Sequence, residues 1–261
     1  MAGPSSLPRL THHLDRTIVI AAPRAIVFRF FTDEKRWASW WGTGSAIDPT
    51  PGGKLLIRYP DGSQVSGEVL QLEPPERIVF TYGYESGKMI PPGGSRVTIR
   101  LEDDPRGTRL LFLHEFTDAA ARDHHVQGWR YQLSLFANIV SNELHANAAA
   151  AVDEWCGAWA EDDREKRRQR LAAITIPGVS FRDRFSLITG VDDLNDQIGA
   201  AQQFMPGIRL ERRGDVRQCQ GTVLAEWVAL TKDNQERGRG TTVYAFGAGG
   251  KIESVTGFWA Q

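Results

Sequence analysis

Apolar and polar positions alternate from Leu14 to Ile20, with Leu14, Arg16, Ile18 and Ile20 on one side and Asp15, Thr17 and Val19 on the other. That period predicts a strand, which stops at Ala21-Ala22-Pro23. Pro23 suits the first turn of a helix, where its missing N–H is not needed, and Ile26, Val27, Phe30 and Phe31 then make a helical stripe. Three tryptophans follow within five residues, in Trp37-Ala38-Ser39-Trp40-Trp41. So dense an apolar cluster belongs in a packed corner or on the wall of something concave. Strand-like runs come next at Lys54–Tyr59, Gln64–Leu72, Arg77–Tyr84, Arg96–Leu101 and Arg109–Glu115, separated by Gly- and Pro-rich breaks. Such short spacing predicts an antiparallel meander. Thr117-Asp118 opens a long helix whose apolar face is Val126, Trp129, Leu133, Phe136 and Val140, and that face is satisfied by lying on the concave side of the sheet.

Near Ala146–Ala151 the pattern turns alanine-rich, and a second series starts with helices. Val152, Trp155 and Trp159 mark the first, Asp162–Ile174 a charged one whose run reads as a solvated face with internal acid–arginine pairs, and Gly190–Leu194 the start of another. Strands are predicted at Val179–Phe185, Ile208–Arg212, Thr222–Leu230, Thr241–Phe246 and Ile252–Trp259, with Gly247–Gly250 as a hairpin turn. The fold class is therefore α+β in both halves. The first is an antiparallel sheet wrapped on a long C-terminal helix; the second is a cone with a curved antiparallel sheet. The expected divisions are a flexible lead-in at 1–12, a first domain at 13–146, a linker at 147–151 and a second domain at 152–261.

Charge excludes one class of partner. Residues 10–147 hold 15 Lys and Arg against 16 Asp and Glu, and residues 150–261 hold 15 against 16. Neither half has the basic excess that nucleic acid demands. No stretch approaches the roughly 20 apolar residues of a membrane span, and the first residues lack a signal-peptide layout. Two distant cysteines, Cys156 and Cys219, fit a reduced, cytoplasmic protein. Adjacent His124 and His125 point about 100° apart on a helix, and no other ligand pattern appears, so no metal and no cofactor are expected.

Residues 13–145 resemble the SRPBCC superfamily, the helix-grip fold of START and birch-pollen-allergen-like proteins, and within it bacterial homologues of the Hsp-ninety ATPase activator's C-terminal domain. The resemblance is carried by Ala22-Pro23-Arg24-Ala25-Ile26-Val27-Phe28, Trp40-Trp41-Gly42, Pro51-Gly52-Gly53-Lys54, Glu68-Val69-Leu70, Pro74–Ile78, Gly107–Leu110 and His125–Trp129. It implies a cavity between sheet and helix for an apolar small molecule, with Trp40, Trp41, Tyr59, Phe80, Tyr82, Trp129, Leu133 and Phe136 as candidate lining residues.

Residues 150–261 are similar to the SnoaL-like branch of nuclear-transport-factor-2-like proteins. The matching residues are Trp155 and Trp159, Phe181-Arg182-Asp183, Gly190–Leu194, Phe204–Gly207, Glu226-Trp227, Gly250–Ile252 and Gly257–Trp259. This resemblance implies a conical pocket, lined here by Trp155, Trp159, Phe181, Trp227 and Thr242, and puts Asp183 where the family's isomerases hold their general base. Where those enzymes keep a tyrosine and an aspartate as an oxyanion clamp, this chain has Trp155 and Thr242. Arg182 and Arg184 flank Asp183, and an ion pair to either would make it an ordinary strand-end carboxylate.

The leading expectation is a two-domain binding protein for small apolar or aromatic molecules. Its rivals are a metal-free isomerase or cyclase with Asp183 as base, and a protein-interaction module with an exposed apolar patch and no accessible cavity. A homodimer is expected through the outer face of the second sheet, carrying Val243, Ala245, Phe258 and Trp259.

Overall fold

In the computed structural model, which describes residues 9–260, the first alternation begins earlier than expected. Strand β1 spans His12–Ile20 and pairs antiparallel with a later strand, His12 opposite Phe116 and His13 opposite Glu115. His12, at the end of the expected lead-in, and His13 are thus held by a backbone ladder; residues 1–8 lie outside the described residues. The chain separates into two compact units, Met1–Val140 and Ser141–Gln261.

After β1 come α1 (Arg24–Arg29) and α2 (Glu34–Trp41). The tryptophan cluster expected in a packed corner is itself helical. Trp37, Trp40 and Trp41 recur at i, i+3 and i+4 and so share one face. Asp33 caps the helix by accepting from the Arg36 N–H at 2.9 Å. All three indoles are buried. Trp40 meets Phe31 and Phe136 edge-on, and Trp37 meets Phe80.

Strands β2 (Ala46–Ile47), β3 (Lys54–Arg58), β4 (Gln64–Glu73), β5 (Arg77–Tyr84), β6 (Ser95–Asp104) and β7 (Gly107–Phe116) complete the meander, in the order β1-β7-β6-β5-β4-β3-β2. The 26-residue helix α3 (Ala119–Leu144) follows, started by Asp118, whose carboxylate accepts from the Ala121 N–H. Its buried face carries Trp129, Leu133, Phe136 and Val140, as the spacing predicts. No helix among the described residues is long and apolar enough to cross a membrane, which says nothing of a β-barrel.

The second unit holds α4 (Ala148–Ala160), α5 (Arg164–Ile174), β8 (Thr175–Arg182), β9 (Leu187–Thr189), α6 (Val191–Phe204), β10 (Arg209–Cys219), β11 (Thr222–Leu230), β12 (Glu236–Phe246) and β13 (Ile252–Trp259). Its sheet runs β10-β11-β12-β13-β8-β9, parallel only between β13 and β8. The alanine-rich stretch expected as a connector is helical and opens α4: alanine favours helix, and Ala148 and Val152 are buried.

The charged helix α5 also departs from expectation. Arg167 is buried, its guanidinium donating to Asn195 Oδ1 (2.7 Å), to Gln202 Oε1 (2.9 Å) and to the Glu161 carbonyl (2.7 Å). Arg164 pairs with Asp196, Arg168 with Asp192 and Arg170 with Glu154. These arginines tie α5 to α4 and α6 rather than to its own acids. Gln202 adds hydrogen bonds to the carbonyls of Trp159 and Glu161, so α6 is fixed against the end of α4.

Candidate functional site

Register explains why the second unit is hollow. Paired positions on neighbouring strands point to the same face, so Val223, Tyr244, Val255 and Phe181 form one rank across the concave side. The next rank is Ala225, Thr242 and Gly257, and the one after is Trp227, Gly240 and Trp259. Small side chains in the middle leave space, and large indoles bound it. Gly240 is required here: a Cβ would stand 2.1 Å from the Phe258 carbonyl oxygen and 2.6 Å from the Trp227 ring. Across the gap, α6 presents Ala200 and Ala201, and α4 presents Trp155 and Trp159. The result is a cavity of about 530 Å³, largely apolar, whose mouth carries the exposed Phe185, Phe204 and Met205.

Asp183 lies on this wall, just past the end of β8 and in step with the inward Val179 and Phe181. One carboxylate oxygen closes the turn by accepting from the Phe185 N–H at 2.8 Å; the other accepts from Trp259 Nε1 at 3.1 Å. Neither neighbouring arginine pairs with it among the described residues. Arg182 donates to Thr256 Oγ1, and Arg184 lies over the Phe185 ring. Trp155 packs against Phe181 and Tyr244. Burial pushes the Tyr244 phenol well above its ordinary value, so it stays a neutral hydroxyl, and pushes the Cys156 thiol up to about 12. The Trp159 indole N–H is buried without an acceptor.

Trp155, Trp159, Phe181, Asp183, Trp227 and Thr242 therefore meet around one cavity. Trp259 belongs with them. It had been expected on the outer face beside Phe258, but adjacent strand residues point to opposite faces, and Phe258 alone is turned outward. Tyr244, Gly240, Gly257 and Ala201 are not among the expected residues; counting two residues either way from Thr242 recovers Tyr244 and Gly240, and Gly257 is Thr242's cross-strand partner.

In the first unit the predicted residues divide. Trp40, Trp41, Tyr59, Tyr82 and Trp129 line a smaller hollow of about 320 Å³ under α3. Phe80, Leu133 and Phe136 do not line it and are buried in the packed interior, Phe136 between Phe30, Phe31 and Trp40. The hollow's floor is a polar network. Trp129 Nε1 donates to His114 Nδ1 (2.9 Å), and the Ser95 hydroxyl donates to the Tyr82 carbonyl (2.8 Å). Ser95 Oγ and His114 Nε2 stand 2.8 Å apart, so the remaining proton of the ring sits on Nε2. His114 is thus a neutral imidazole, and burial holds it well below its ordinary value. His125 stands 5.5 Å from it, ring to ring, with Nδ1 2.6 Å from the Ala121 carbonyl and Nε2 3.3 Å from the Tyr84 hydroxyl. Tyr59 and Tyr82 share a hydrogen bond of 3.0 Å, and burial raises both phenols. Sequence inspection dismissed these histidines as ligands without finding this network, because strand and helix residues 11 apart give no periodic signal. Among the described residues no three His, Cys, Asp or Glu side chains gather to hold a metal.

Comparison with known proteins gives a family for the first unit. Residues 21–141 match the family of Activator of Hsp90 ATPase homolog 1-like proteins. Among solved structures, a SnoaL-like family protein from Agrobacterium tumefaciens is similar at 24% identity over 46% of this chain and 99% of its own, with a TM-score of 0.42. The Aha1 dimer from Colwellia psychrerythraea is similar at 17% identity over 47% of this chain and 91% of its own, TM-score 0.42. CalU16 from Micromonospora echinospora shares 26% identity over 48% and 74%, TM-score 0.39. No curated protein matches the chain at a comparable level. The sheet order and the long helix α3 accompany that match, so residues 21–141 are the part of this chain that carries the AHSA1-like family match.

Proposed function

We propose that the second unit binds a small apolar or aromatic molecule in its cone cavity. The observation that carries this reading is the cavity itself. Its 530 Å³ falls within the roughly 300–1,000 Å³ of small-molecule sites, and its walls are four indoles, Phe181 and alanines with few polar groups among them. Burial of the ligand's apolar surface supplies the affinity, and Asp183 and Thr242 orient it. The first unit's hollow is smaller and its floor is hydrogen-bonded to itself, which supports a structural rather than a ligand-holding role for that unit. An accessible cavity also argues against a pure protein-interaction module. Native mass spectrometry of the purified chain, followed by organic extraction, tests the reading. A co-purifying apolar compound and a dimeric mass are expected, the dimer formed through the outer sheet face with Val243, Ala245 and the exposed Phe258. An apo spectrum that stays apo after incubation with aromatic compounds contradicts it.

A second reading, metal-free isomerase or cyclase chemistry, is favoured by one feature. Asp183 lines the cavity with no ion pair to hold it among the described residues, beside the Trp259 N–H donor, and the neutral Tyr244 hydroxyl belongs to the same cavity. A carboxylate so placed can take a proton from carbon beside a carbonyl. Asp183→Asn is then expected to lower turnover of the extracted compound by roughly a hundredfold or more, with the melting temperature nearly unchanged. An unaltered rate removes Asp183 from the chemistry.

A further inference from the structure

One irregularity in the second sheet bears on what the cavity takes. Ala229 of β11 pairs with Gly238 of β12, but the next residue, Leu230, pairs with Glu236. Arg237 is therefore an extra residue, a β-bulge, and a bulge re-aims the side chain it carries. Simple alternation with Arg239 would turn Arg237 to the outer face; with the bulge it lies at the cavity mouth. Of the residues around the cavity only Asp183 and Arg237 are charged. Arg237 has no carboxylate partner among the described residues, whereas the neighbouring Arg239 stands 3.8 Å from Glu236. Asp183 already receives two N–H groups, one on each oxygen.

From this geometry we infer that the ligand is an amphiphile, an aromatic or otherwise flat apolar body bearing a carboxylate, held with the body inside and the carboxylate on Arg237. The inference rests on the cavity's being a binding site. A guanidinium matches the two oxygens of a carboxylate, and a planar anion at the mouth keeps its remaining solvation. The apolar body then reaches past the edge-to-face pair of Trp227 and Trp259 toward Thr242 and Gly257. A cationic ligand would meet Arg237 as a like charge at the entrance and find Asp183 with both oxygens engaged.

Three matched probes test this on the full chain, with quenching of the cavity tryptophans as readout: 2-naphthoate, its neutral analogue 2-naphthamide, and 2-naphthylmethylammonium. Wild type is expected to bind the naphthoate roughly tenfold more tightly than the amide, the size of one charge-assisted contact. That gap should narrow as salt is raised. In R237Q the naphthoate should fall to the amide's affinity while the amide's own is unchanged, and R237K should restore part of the gap. Equal affinities in wild type, a gap that survives R237Q, or tighter binding of the ammonium probe would each overturn the assignment while leaving the cavity a binding site. Failure of all three probes to bind would overturn the binding reading and this inference with it.

Discussion

Acidification from pH 7 to pH 5 is expected to weaken the first unit by up to about 4 kcal/mol, before its carboxylates begin to titrate. His114 and His125 are buried, and burial lowers both from the ordinary value of 6.5. The sign follows from proton counting. Below 6.5 the unfolded chain binds protons that the folded chain refuses, so stability is complete above that value and falls as pH drops through the window beneath it. Each histidine kept neutral costs about 1.4 kcal/mol per pH unit, against a typical domain stability of roughly 5–15 kcal/mol. Geometry gives the cause. A proton added to His114 would land on Nδ1, where it faces the N–H of Trp129, while Nε2 is already committed toward Ser95. His145 adds to the effect in the second unit; its ring lies against Phe246, both nitrogens are buried without partners, and burial lowers it too. Urea midpoints followed by tryptophan fluorescence at pH 7, 6 and 5 measure this. A midpoint constant across that range would mean that the histidines titrate freely.

Much of the architecture was legible because it depends on local periodicity. Strands Arg77–Tyr84, Thr222–Leu230 and Ile252–Trp259 begin and end where turn residues and alternation place them. Helix α2 is absent from the expected elements although its tryptophans have helical spacing and Glu34, Lys35, Arg36 and Ser39 supply polar positions, since eight residues make only about two turns. The expected solvated run on α5 holds except at Arg167, and there for a different reason. Arginine's long donor-rich side chain can be buried when carbonyls and amides from other elements converge on it, and no local pattern records that convergence. The site shows the same division. Asp183 and Phe181 follow from counting along one strand, and Thr242 from the family resemblance. Placing Trp259 with the cavity and Arg237 at its mouth needs cross-strand register and a bulge, which pairing alone decides.

Filling the cone cavity is expected to abolish ligand binding without unfolding the protein. Ala201 projects from α6 into the hollow and is only half-buried, so a larger side chain there enters empty space rather than a packed core. Ala201→Trp would occupy the volume between α6 and the rank of Ala225, Thr242 and Gly257. Withdrawing an aromatic ring from that surface forfeits more than the roughly 1.4 kcal/mol that corresponds to tenfold in affinity. The first unit's hollow, under α3, is untouched by the change and serves as the competing seat. The measurement is a titration of wild type and Ala201→Trp with the neutral aromatic probe 1-aminoanthracene, alongside melting curves for both. The account predicts saturable binding to wild type, at least tenfold weaker in the variant, with melting temperatures within a few degrees. Equal affinity for the two proteins would put the probe elsewhere and contradict the assignment of the cone cavity as the binding site.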